Sequence, residues 1–86
     1  MMVRSEVALI IPALNESITI GETVRSVAQY GTAIVVDDGS SDDTEAVAKA
    51  AGATVVKHPR NRGYDAALAS GFAKAAEMGF PYADIS

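Results

Sequence analysis

The run Ala33-Ile34-Val35-Val36 passes without a break into Asp37-Asp38-Gly39-Ser40-Ser41-Asp42-Asp43-Thr44. Short apolar runs rich in β-branched residues suit a strand buried on both faces, as in a parallel sheet. The polar cluster behind it suits a loop that feeds a helix N-terminus. This junction constrains the fold strongly, because a strand buried on both sides needs helices over both faces. It also places two carboxylates at a strand's carboxyl end, where ligands bind in open α/β sheets.

The rest of the chain repeats the pattern. Glu6 to Ile11 reads as a buried strand, and Pro12, which has no N–H, predicts that pairing stops there. A loop, Ala13-Leu14-Asn15-Glu16, precedes a helix. Thr19 and Glu22 have capping-box spacing with Ser17 as a competing start, and Ile20, Val24, Val27 and Ala28 form one apolar stripe. Gly31 suits its stop. After the acidic loop, Asp42 and Glu45 again have capping-box spacing for a helix to about Ala51, with Val47, Ala50 and Ala51 able to face the sheet. Thr54 to Lys57 reads as a third strand and His58 to Gly63 as a loop. Tyr64 to Met78 reads as a third helix, with Leu68, Gly71, Phe72, Ala75 and Ala76 on its apolar side. Tyr82 to Ser86 begins a fourth strand. The order is β-α-β-α-β-α plus a truncated strand. It predicts an α/β fold in three α/β/α layers around a parallel sheet, with right-handed crossovers, and residues 1–86 as one partial domain.

Composition narrows the function. Eleven acidic and seven basic residues give a net charge of −4, and the absence of a basic run argues against a nucleic-acid partner. There is no cysteine, so neither a disulfide nor a thiolate metal site is available. No apolar run approaches the ~20 residues that span a bilayer. Met1 to Glu6 has no signal-peptide pattern, so the expected location is cytoplasmic.

Each polar group at the strand ends has a plain reading and a functional one. Asp37 and Asp38 are either solvated loop residues or ligand acceptors, although two adjacent carboxylates repel and a cap would need only Ser41 or Asp42. Asp42 and Asp43 read as capping and first-turn residues favoured by the helix dipole, and Gly39 as a turn residue. Asn15 and Glu16 form an Asx turn and a helix start, or Glu16 accepts from ligand hydroxyls such as those of a ribose. His58 reads as a solvated loop residue rather than a base. Arg60 and Arg62, flanking Asn61, are either solvated or placed to meet phosphate. The usual P-loop, G-x-G-x-x-G, EF-hand and nucleophile-elbow patterns are absent. A receiver-like phosphorelay domain is rejected, because its phosphate-accepting Asp should follow the third strand, where Lys57-His58 stands.

Three segments in this order carry a resemblance: Ile11-Pro12-Ala13-Leu14-Asn15-Glu16, then Val35 to Thr44, then Asn61-Arg62-Gly63 opening an Ala-rich helix. Together they resemble the N-terminal half of the family 2 glycosyltransferases, and Asn61 to Phe72 looks most like the branch that uses polyprenyl or dolichyl phosphate. The resemblance implies a GT-A fold, similar to other nucleotide-diphospho-sugar transferases, and a UDP- or GDP-sugar as donor of a hexosyl group. Polyprenyl phosphate is the implied candidate acceptor, which would bring the whole protein to the cytoplasmic face of a membrane. It implies a nucleotide site built from Pro12, Ala13, Leu14, Asn15, Glu16, Asp37, Asp38, Gly39, Arg60, Asn61 and Gly63. In it Glu16 lies near the ribose, Asp38 accepts from a base N–H, Asp37 supports the loop, and Arg60 to Gly63 lie near base and diphosphate.

The family's Asp-x-Asp metal motif and its general base would lie beyond Ser86. Asp84 stands too early and alone to replace them, and Asp65 departs from the glycine or lysine common at its position. Mg²⁺ or Mn²⁺ is therefore expected for the full-length enzyme, with no catalytic or metal residue in this segment, no metal bound by it alone, and no sugar transfer by it alone. A short fourth strand would leave the first strand partly an edge, which predicts dimerisation or strand exchange there. The alternative is a non-catalytic nucleotide-binding or assembly module complete at this length.

Overall fold

The computed structural model describes residues 3–86. Met1 and Met2, part of the segment read as lacking a leader, lie outside them. A 3₁₀ turn over Arg4–Glu6 leads into β1 (Val7–Ala13), α1 (Ile20–Val27), β2 (Thr32–Asp38), α2 (Thr44–Ala50), β3 (Thr54–His58), α3 (Tyr64–Glu77) and β4 (Tyr82–Ile85). All pairings are parallel, in the order β3-β2-β1-β4. The α/β class and element order agree with the sequence pattern.

Side chains alternate across the sheet with period two. Ile11, Ala13, Ala33 and Val35 pack with Ile20, Val24 and Ala48 on the α1/α2 side. Ala8, Ile10, Ile34 and Val36 pack with Ala67 and Ala75 of α3 on the other. Helices of eight and seven residues, α1 and α2, are too short to persist alone in water. Packing holds them, mainly through Ile20, Val24 and Ala48. In α3 the buried residues are Ala67, Gly71 and Ala75, one per turn, and they let the helix lie close to the strands. A Cβ on Gly71 would fall 2.3 Å from Ile10 Cγ2. The expected stripe is therefore shifted, and Phe72 and Ala76 are exposed.

Of four further expectations, three are corrected and one holds. Pairing does not stop at Pro12: it stands opposite Val36, and Ala13 opposite Asp37. The Ser86 N–H donates to the Ile10 carbonyl (2.9 Å), so the even-numbered residues of β1 aim their backbone groups at β4. The position where Pro12 lacks an N–H thus faces away from β2, and the β1–β2 ladder loses nothing. Second, the expectation that β1 is partly an edge holds: β4 pairs with residues 7–10 and leaves Ile11 to Ala13 without a partner on that side. The outer strand on that side is β4, whose four residues are exposed. Third, Asp37 and Asp38 belong to β2 itself and are buried. Fourth, neither capping box forms. Thr19 and Asp43 occupy the N-cap positions without a side-chain cap bond. Asp42 instead accepts from the Thr44 N–H (3.0 Å), the Thr44 hydroxyl and the Ser17 N–H (3.2 Å).

Candidate functional site: a cleft at the carboxyl end of the sheet

The loops after β1, β2 and β3 meet over one end of the sheet. Asn15 adopts a left-handed backbone (φ 52°), a conformation that Asn tolerates better than most residues. Its N–H donates to Ser40 Oγ (2.8 Å), and its Oδ1 accepts from the Ser41 N–H (2.8 Å). The Glu16 N–H donates to the hydroxyl of the fully buried Thr44 (2.8 Å). The first loop is thereby stitched to the second. Gly39 joins the second to the third: at φ 85° its missing Cβ would lie 2.4 Å from both Arg60 C and Asn61 N.

The two carboxylates divide by face. Asp37, on the α1/α2 side, accepts from the Ser40 N–H (2.9 Å) and from Lys57 Nζ (3.0 Å), and Lys57 also donates to the Ser40 carbonyl (3.0 Å). Burial pushes the Asp37 carboxyl up, but the bonds from Ser40 and Lys57 outweigh it and hold the group below the ordinary carboxylate value. Asp37 is thus a support of the acidic loop.

Asp38 faces α3. Its Oδ1 pairs with His58 Nδ1 (2.7 Å) and accepts from the Arg62 N–H (2.9 Å), and its Oδ2 accepts from the Gly63 N–H (2.9 Å). The His58 bond, then the Arg62 and Gly63 N–H groups, keep its carboxyl ionised below the ordinary range against the opposing effect of burial. His58 is not a solvated loop residue. It ends β3, opposite Asp38 in register, is buried, and reaches Ser70 Oγ with Nε2 (2.8 Å). Asp38, His58 and Ser70 stand in the order of an acyl-transfer triad. However, Ser70 lies inside a regular helix whose N–H groups are spent on helical bonds, so no donors gather to hold an oxyanion.

Asp38 also lines a cleft of about 240 Å³ with Pro12, Ala13, Leu14, Asn61, Gly63, Tyr64 and Ala67. Six residues named from the sequence therefore converge: Pro12, Ala13, Leu14, Asp38, Asn61 and Gly63. Five do not line it. Asn15, Asp37 and Gly39 hold the loops, while Glu16 and Arg60 stand exposed on the rim. Sequence reasoning missed Tyr64 and Ala67 as walls, and Lys57, His58 and Ser70 as the ties behind Asp37 and Asp38. The signal for His58 was the register that puts it opposite Asp38, which a single strand's pattern does not contain.

The residues described do not fit the divalent ion expected for the whole enzyme. Among them no three His, Asp or Glu side chains gather to hold a metal. Asp37 and Asp38 turn to opposite faces, and Asp42 is committed to Thr44 and Ser17.

A parallel sheet with an acceptor-bearing cleft at its carboxyl end has the layout in which open α/β domains bind ligands. The family model for glycosyl transferase family 2 matches residues 8–77. The protein MJ1222 of Methanocaldococcus jannaschii is 41% identical over 70 residues, covering 79% of this chain and 29% of that protein. A crystal structure of Mycobacterium tuberculosis glucosyl-3-phosphoglycerate synthase superposes with a TM-score of 0.69 at 35% identity, over 83% of this chain and 30% of that one. The same enzyme has been solved with Mn²⁺, UDP-glucose and phosphoglyceric acid. A mannosyltransferase of Pyrobaculum calidifontis, solved with GDP-mannose and Mn²⁺, shares the fold with a TM-score of 0.73 at 24% identity, over 85% of this chain and 25% of that one. The chain belongs to glycosyltransferase family 2 and has the GT-A type of fold. It spans under a third of the length of these relatives. No helix among the described residues is long and apolar enough to cross a membrane.

Proposed function

We propose that this segment binds the nucleotide of a nucleoside diphosphate sugar, as the donor half of a hexosyl-transferring enzyme. One observation carries the reading. Asp38 is held ionised at the cleft wall by three N–H donors, and a carboxylate has room for a fourth. Its Oδ2 keeps one acceptor position for a base N–H, beside the apolar walls Pro12, Ala13 and Leu14. The exposed Glu16 carboxylate is available to ribose hydroxyls on the same rim. Arg60 and Arg62, exposed beyond Asn61, are available to the diphosphate, which guanidinium groups bind through paired hydrogen bonds.

The metal that steadies the leaving diphosphate is assigned to residues elsewhere in the whole protein, and so is acceptor activation. Residues 1–86 alone therefore bind nucleotide without transferring sugar. Polyprenyl phosphate as acceptor gains no support from the solved relative, whose crystals contain phosphoglyceric acid.

The test is calorimetric titration of the natural full-length protein with UDP- and GDP-sugars, with and without Mn²⁺, repeated on Asp38→Asn. Binding of one nucleotide class, lost or weakened roughly tenfold or more in the variant, supports the reading, since a hydrogen bond to a charged group contributes about 1.5–3 kcal/mol. Unchanged affinity in Asp38→Asn refutes it.

A further inference from the structure

His58 and Ser70 take no part in the nucleotide site as proposed, yet they are polar groups placed behind its acceptor. An ionised carboxylate only accepts, so His58 Nδ1 must carry the hydrogen in the 2.7 Å bond to Asp38. In the neutral ring, that fixes Nε2 as the acceptor for the Ser70 hydroxyl at 2.8 Å. The chain Ser70–His58–Asp38 thus runs from the second turn of α3 through the end of β3 to the end of β2.

The lone pairs of Asp38 can then be counted. Oδ1 is filled by His58 Nδ1–H and the Arg62 N–H, while Oδ2 holds only the Gly63 N–H. The carboxylate's own χ2 torsion is soft. Without the bond from His58, the Arg62 and Gly63 N–H groups still hold one oxygen each, but Oδ1 gains a vacant acceptor position, so both oxygens can accept from a ligand.

We infer that His58, steadied by Ser70, is a positioning residue that locks Asp38 so that one acceptor position, on Oδ2, serves the cleft. This rests on the nucleotide reading above and adds the base to it. A single acceptor suits a base edge with one N–H between two carbonyls, as in uracil. It suits the two adjacent donors of guanine less well, because they call for both oxygens of one carboxylate. The donor class this selects is a uridine diphosphate sugar.

The test uses UDP and GDP as probes, titrated calorimetrically into the natural full-length protein. The variants are His58→Asn, His58→Gln, Ser70→Ala and Asp38→Asn. An Asn amide places its N–H where imidazole Nδ1 stands, whereas a Gln amide reaches the Nε2 position. The wild type should prefer UDP. His58→Asn should stay within roughly threefold of it, and His58→Gln should bind UDP roughly tenfold more weakly, the effect of losing one charge-assisted hydrogen bond. The UDP-over-GDP preference should narrow with it. Ser70→Ala, which keeps a good helix former, should narrow that preference in a protein that still unfolds cooperatively, and it carries the test if the His58 variants do not fold. Equal UDP affinity and preference in His58→Asn, His58→Gln and Ser70→Ala would overturn the inference, as would a wild-type preference for GDP. Loss of binding in Asp38→Asn alone leaves the nucleotide reading standing and removes only the role of His58. A wild type that binds neither nucleotide removes both.

Discussion

Replacing Gly39 with alanine tests how the second and third loops are joined. Gly39 and Gly79 both have left-handed backbones, φ 85° and 84°, so alanine at either costs roughly 1–2 kcal/mol in backbone strain. Their surroundings differ. A Cβ on Gly79 meets nothing within 4 Å, whereas one on Gly39 lands 2.4 Å from Arg60 C and Asn61 N and 2.8 Å from Arg60 Cα. Ordinary carbon contacts lie at about 3.5–4.0 Å, so the Arg60–Asn61 backbone must retreat by about 1 Å. Overpacking of this kind costs roughly 1–3 kcal/mol. The retreat also pulls at the Arg62 and Gly63 N–H groups that hold Asp38. Urea unfolding should therefore place the Gly39→Ala midpoint roughly 1–2 M below that of Gly79→Ala, for a slope near 1–1.5 kcal/mol/M. UDP affinity should fall in the first variant and not in the second. Coincident midpoints would show that the two loops are not in tight contact and would refute the role of Gly39 in joining them.

Other outcomes follow from the same contacts. Lys57→Met strands the buried Asp37 with Ser40 as its remaining partner and should cost about 1–3 kcal/mol; a melting temperature within 2–3 °C of wild type would count against that, given about 4–8 °C per kcal/mol for a domain of this size. Gly71→Ala gains about 1 kcal/mol of helix propensity but drives a Cβ into Ile10, and should be net destabilising in thermal melts; a higher melting temperature would mean that α3 is not in close contact with β1. Asp42 is lowered from 3.8 to about 2, chiefly by the Thr44 hydroxyl. The unfolded chain therefore takes up its proton first, and the stability from Asp42 is complete above about pH 4 and lost as pH falls toward 2. Acid unfolding followed by circular dichroism should show a shallower decline over that window in Asp42→Asn, and an unchanged decline would refute the assignment. Purified residues 1–86, given a UDP- or GDP-sugar and Mn²⁺, should yield neither sugar transfer nor donor hydrolysis, and product of either kind would refute the division of labour proposed above.

The alternation of short β-branched runs with apolar helical stripes was enough to order the elements, because both periods are local. What needed the third dimension was register. Nothing in Thr54 to His58 alone says that His58 meets Asp38, so a buried tie reads as a loop residue. The same limit applies to Asp37 and Asp38. Charge marks them as a strand's end, yet Lys57, His58, Ser40 and two backbone N–H groups make it possible to extend β2 through both. Capping fails for a related reason: Asp42 has closer partners in Thr44 and Ser17 than the N–H its spacing proposes. Pro12, Ala13 and Leu14 came as cleft residues only with the family resemblance, since apolar side chains at a strand's end do not by themselves mark a site. Tyr64 and Ala67 were not legible, since their role depends on how closely Gly71 lets α3 approach the sheet.

Pro12 has one more effect. On the side of β1 that faces β4, hydrogen bonding continues through Ile10, and the next rung would require the N–H that Pro12 lacks. A strand running along this side goes without that one rung, while β1 and β2 remain paired to Ala13 and Asp37. Pro12 is also a wall of the cleft, so the missing donor lies at the height of the site.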